Sequence, residues 1–207
     1  MRNVMKAQTQ AITLVLLTAI IISMIGFAYS WGKPMIDKRS VTTQFTSSVR
    51  FMEQLDRKIV DMAGTCSFGG ACEEILELPF PGIIRLDESS NSIVYEYVVN
   101  QPLISGGEVL FNTADDGDVV RYGETPGVIS LTGDGMDANQ YNIKFLLRYR
   151  ELDSNDPPKG YKIELVRSGP ASGNSKISIS YDGSETRPGQ AHHSGDLIVS
   201  KIKVQTI

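Results

Sequence analysis

Residues 11–31 read AITLVLLTAIIISMIGFAYSW, 21 positions without a single charge. At 1.5 Å per residue a helix of that length is roughly 30 Å long, the hydrocarbon thickness of a bilayer. Its apolar side chains fall on every side of such a helix, leaving no polar face to turn toward water. The charge-free window is wider still, since 26 residues separate Lys6 from Lys33. Tyr29 and Trp31 sit at its far end, where amphipathic rings favour the headgroup boundary. The segment is therefore expected to insert in a membrane.

Moving outward, the helical pattern changes character instead of stopping. Val41, Phe45, Val49, Met52, Leu55, Ile59 and Met62 recur at steps of three and four, one apolar stripe along a helix. Arg50, Glu53, Gln54, Arg57, Lys58 and Asp61 take the other side. One helix over residues 8–63 follows, roughly 80 Å long, lipid-soluble in its first half and amphipathic in its second. Pro34 lacks a backbone donor, so a kink or a melted turn is expected there.

Three readings of the N-terminus compete. Ala28-Tyr29-Ser30 offers the small-x-small pattern of a secretory cleavage site; the helix is equally suited to a permanent anchor. The third reading is a class III signal, in which a short basic leader, MRNVMKA, is cut ahead of a retained apolar stretch. With the Lys6-Ala7/Gln8 junction, the apolar stretch over 8–31 and its amphipathic extension ahead of a β-rich region, residues 1–63 resemble the archaeal type IV pilin-like and archaellin family. The resemblance implies cleavage between Ala7 and Gln8 by a prepilin-type peptidase, residence in the membrane, then assembly into a helical filament by dedicated machinery. Ile12, Leu16, Ile20, Ile22, Ile25, Phe27 and Trp31 would line the membrane and then the filament core. Bacterial type IV pilins typically carry Glu as the fifth mature residue; here that position is Ile12, and archaeal members commonly lack this Glu.

Residues 64–81 read as a hinge. Gly64 is suited to stop a helix, and Cys66 and Cys72, the two cysteines of the chain, bracket SFGGA. Outside the cytoplasm a disulfide closing that small loop is expected. A zinc site would need more ligands, a redox pair the CxxC spacing, and two reduced thiols are the remaining reading.

From residue 82 to 207 the period is two. Ile93, Tyr95, Tyr97 and Val99 share one face, as do Tyr141, Ile143, Phe145, Leu147 and Tyr149, and then Ile177, Ile179 and Tyr181. Turn-rich pieces separate them: DESSNS at 87–92, GDGMDAN at 133–139, DSNDPPKG at 153–160 and DGSETRPGQAHHSG at 182–195. Eight or nine short strands are expected, in an antiparallel sandwich-like domain with the amphipathic helix on one face. The fold class is thus α+β.

Composition and motifs then narrow function. Of 20 basic and 24 acidic groups, residues 40–207 hold 15 and 23, a net of −8 that repels phosphate backbones and argues against nucleic acid. Nucleotide-binding, hydrolase-elbow and zinc-protease motifs are absent from the sequence, so neither an enzyme nor a cofactor is expected. His192 and His193 are adjacent in a Gly/Ser/Pro loop, where side chains diverge, and read as exposed. Asp115, Asp116 and Asp118, and Asp134, Asp137 and Asn139, form oxygen-rich loops without EF-hand spacing. Because Asp and Asn are also ordinary turn residues, they stand only as secondary metal candidates. The sequence favours a structural subunit of a cell-surface filament, for adhesion or motility, with extracellular β domain. The alternative is a monomeric membrane-anchored surface protein whose β domain binds a ligand.

Overall fold

The computed structural model describes residues 2–66, 72–101, 107–113, 116–137, 140–155 and 158–207. One helix, α1 (Arg2–Thr65), is followed by twelve described strands, and the chain divides into two compact units, Met1–Thr43 and Gln44–Ile207. In the second unit, residues 44–65 of the helix pack on two mostly antiparallel sheets, the α+β arrangement that the change of period from 3.5 to two anticipates.

The first unit is helical throughout its described residues. Pro34 lies inside α1 without interrupting the assigned helix, so the expected melted turn is not formed. Proline withdraws one donor, and the neighbouring turns keep their own bonds. Two hydroxyls in the apolar stretch are satisfied within the helix: Thr18 Oγ1 donates to the Leu14 carbonyl at 2.7 Å and Ser23 Oγ to that of Ala19 at 2.8 Å.

In the second unit, residues 44–65 of α1 present a buried stripe. Met52, Leu55 and Ile59 have no exposed surface, and Phe51 and Met62 are buried beside them. The sequence stripe omitted Phe51, Ser48 and Asp56, which are buried too, so the covered face is wider than a single row. Phe45 and Phe51 meet an aromatic cluster from the strands: Phe45 lies 6.1 Å from Phe145, and Phe51 5.7 Å from Tyr95, ring centre to ring centre.

The strands are β1 (Glu73–Glu77), β2 (Ile83–Asp87), β3 (Ser92–Val99), β4 (Glu108–Leu110), β5 (Val119–Arg121), β6 (Gly127–Asp137), β7 (Gln140–Tyr149), β8 (Glu151–Asn155), β9 (Pro158–Arg167), β10 (Ser172–Gly173), β11 (Lys176–Arg187) and β12 (Asp196–Thr206). They form two six-stranded sheets, β1-β11-β12-β9-β8-β5 and β10-β2-β3-β7-β6-β4. Two pairs, β12–β9 and β5–β8, are parallel. β12 hairpins back on β11 and fits between it and β9, so it must run in the direction of β9.

The structure differs from the sequence reading in several places: twelve strands are described where eight or nine are expected, and most of DSNDPPKG belongs to β8, which runs to Asn155, and β9, which starts at Pro158. The hinge at 64–81 contains β1, an edge strand with only Leu76 buried, too little apolar surface to register as alternation. The first five residues of GDGMDAN and the first half of DGSETRPGQAHHSG are in strands, because β6 runs to Asp137 and β11 to Arg187. Both are antiparallel arms, where ladder hydrogen bonds outweigh the turn preference of Asp and Gly. Cys66 and Cys72 are joined as expected, with Cα atoms 6.2 Å apart.

Asn91 ties the two sheets together. Its backbone is left-handed, with φ of 49°, which Asn tolerates better than most residues. From there its side-chain amide donates to Ile163 O at 2.7 Å, and its oxygen accepts from Leu165 N at 2.8 Å, both on β9.

Candidate assembly surface

Of the residues proposed to face lipid or neighbouring chains, those whose side chains are described sit on the outside of the first unit. Every large apolar side chain from Leu14 to Ile36 is between 47% and 81% exposed, with Phe27 and Trp31 the most open. Leu16, Ile20, Ile22 and Ile25 belong to this surface. The side chains of Lys6, Ala7, Gln8 and Ile12 lie outside the described residues; their backbone is part of α1. The helix is long and apolar enough to anchor in a membrane.

The apolar surface has a sharp lower limit. Lys33, Asp37, Lys38 and Arg39 mark its end in sequence. Beyond them Thr42 and Thr43 turn their hydroxyls onto the carbonyls of Lys38 and Arg39, each at 2.9 Å. Within 44–65 the apolar stripe is consumed by the helix's own domain, and the outward face is Arg50, Glu53, Gln54, Arg57 and Asp61. Val41, also in the stripe, is buried. Along the described residues of α1, the large exposed apolar side chains are therefore confined to residues before 37, while on the strands Ile75, Ile83, Val98 and Met136 are exposed singly.

The second unit holds a different kind of chemistry. Asp116, Asp118 and Asp134 are exposed, and Asp118 forms an ion pair with Arg148. Asp115 and Asn139, with the side chain of Asp137, lie outside the described residues. Among the described residues no group of three or more His, Cys, Asp or Glu is arranged to hold a metal ion. His192 and His193 are both exposed, but they do not diverge as an extended segment requires. Their rings lie 4.9 Å apart, and His193 Nδ1 pairs with buried Asp153. The turn brings them together: Ser194, at φ 61°, donates to Ala191 O. Ala191 itself closes a small apolar cluster with Leu197 and Val199.

Two carboxylates of the domain stand apart. Lys58 anchors the end of α1 to β1 through Glu74 at 2.8 Å, an exposed pair of modest worth. Asp56 is the opposite case. It is 7% exposed, and its Oδ1 accepts from the Tyr149 hydroxyl at 3.0 Å. Burial raises its pKa above the ordinary carboxylate value, against the lowering effects of Tyr149 and Arg57. Periodicity could not flag it, since an Asp on a helix between Leu55 and Arg57 reads as solvated.

On the outer face of the second sheet a depression of 680 Å³ is lined by Arg85, Lys144, Arg167, Ser89, Ser90 and Val94, among others. Its cations are largely neutralised: Arg85 pairs with Glu96 and Arg167 with Glu88. No protein-family model, curated protein or solved structure matches the chain.

Proposed function

We propose that the chain is a structural subunit of a type IV pilus-like surface filament, held first in the membrane and then in the polymer by residues 8–36. The β domain is then the extracellular head, and the chain is not a catalyst. What supports the reading is one contrast along α1, an all-round apolar surface before residue 37 and a satisfied stripe after residue 44. Fourteen large apolar side chains stand exposed between Leu14 and Ile36. At about 1.5–3 kcal/mol each, leaving them in water costs on the order of 20–40 kcal/mol, more than a typical domain's whole stability of about 5–15 kcal/mol. Such a surface has to be covered by lipid or by other copies.

The Lys6-Ala7/Gln8 junction and the resemblance to archaeal pilin-like chains favour successive covering by both. Mass spectrometry of protein taken from the cell surface tests this directly. The mature chain is expected to begin at Gln8. A start near Trp31 would mark a secretory signal and end the filament reading; an intact Met1 would favour the anchored monomer. Thr43→Trp separates the filament from the anchored monomer, since bulk added between packed helices typically costs about 1–3 kcal/mol per site. Filaments seen by electron microscopy should shorten or vanish while the subunit still reaches the membrane.

A further inference from the structure

The helix and the sheets of the second unit meet mainly through apolar side chains, and Asp56 is a carboxylate buried among them. Its carboxylate lies directly over Gly127 of β6: a Cβ at that glycine would stand 2.1 Å from Asp56 Oδ1. From β7 it meets Tyr149, the hydrogen-bond donor. Arg57, on its own helix, is exposed and acts only through space. Among the described residues Asp56 makes no ion pair. A carboxylate thus held by one neutral hydroxyl has lost most of its hydration, a cost that vanishes when it is protonated.

We propose that the buried Asp56 carboxyl is a proton-responsive pin, which seats the end of α1 on the sheet more firmly when it is neutral and its desolvation cost is gone. Tyr149 cannot share the switching, because it is fully enclosed and burial, reinforced by the Asp56 charge, holds its hydroxyl well above the ordinary tyrosine range. The sign follows from linkage. A carboxyl whose folded pKa is raised keeps its proton in the folded state at pH values where the unfolded chain has lost it. Stability from this group is therefore greatest in acid and falls as pH rises from the ordinary carboxylate value through the raised one. Exposed carboxylates of the domain act the other way. Glu77, Asp87 and Glu185 are lowered by Lys176, Ser89 and Lys201 respectively, so their contributions are lost on acidification.

The difference between wild type and Asp56→Asn isolates the pin from that background. Thermal unfolding of the full chain in detergent, from about pH 3 to about pH 8, should show Asp56→Asn melting about 2–4 °C above wild type at neutral pH, the shift that ~1 kcal/mol produces in a domain of this size. The gap should close in acid. Tyr149→Phe, which keeps the aspartate and removes the donor that supports its charged form, should instead lower the melting temperature more at neutral pH than in acid. Equal pH profiles in all three proteins would overturn the proposal. So would Asp56→Asn melting below wild type by the same amount at every pH, the mark of a purely structural contact. If Asp56→Asn does not fold, the Tyr149→Phe profile decides alone.

Discussion

Residues 13–36 and residues 44–65 belong to one helix with uninterrupted assignment, yet they obey opposite solvation rules. In the first, apolar residues occupy all sides and the large ones are all exposed; in the second, Met52, Leu55 and Ile59 are sealed and the exposed side is charged. Helix propensity does not separate them, since both stretches form the same backbone. What separates them is how the apolar surface is covered: within the domain for the second and, on the proposed reading, by lipid or other copies for the first. A helix of this kind has a folding half and an associating half.

The hardest blow to that contrast is a cavity in the folding half. Leu55→Ala removes a side chain with no exposed surface, and such truncations cost about 2–5 kcal/mol. Thermal melts in detergent should show the β domain strongly destabilised, while the fraction of chain recovered in membranes stays unchanged. Next is a charge in the associating half. Ile22→Asp should cost insertion about 2.5–3.5 kcal/mol on translocon scales, deplete the membrane fraction and leave the domain's melting temperature untouched. If instead the domain melts lower, the two halves are not independent and the contrast fails.

Smaller effects sharpen the boundary. Cys66→Ser opens a short loop at the end of α1, worth about 2 kcal/mol by chain entropy. Hydrogen exchange should rise first over residues 59–66, with the β-sheet amides still protected. Smallest of all is Ile22→Ala, which trims an exposed side chain. It should move the melting temperature of the domain by the equivalent of less than about 0.5 kcal/mol, against several for the chemically similar Leu55→Ala. Equal effects would show that residue 22 is packed on this chain's own domain.

Much of this was legible in the residues. A run of 21 uncharged positions and a stripe at steps of three and four specify helix and solvation together, because both depend only on local period and side-chain polarity. Alternation at Tyr141–Tyr149 likewise predicted its buried face, since Ile143, Phe145, Leu147 and Tyr149 are all buried. Two cysteines six positions apart left the bond needing only proximity, and the chain supplies it.

Other features required partners far away in sequence. β1 is a strand because Glu73–Glu77 pairs with β11, roughly a hundred residues later; alone it has one buried side chain. The parallel β12–β9 pair follows from the insertion of one strand between two others, which no local window contains. Asp153 is sealed because a distant turn lays His193 against it. Asp56 is the plainest instance. Sequence determined that position 56 is helical and carboxylic, but only the arrival of Tyr149 and the missing side chain of Gly127 decided that it is enclosed. Period and polarity act between near neighbours and can be read along the chain, whereas desolvation depends on whatever the rest of the chain brings within a few ångströms.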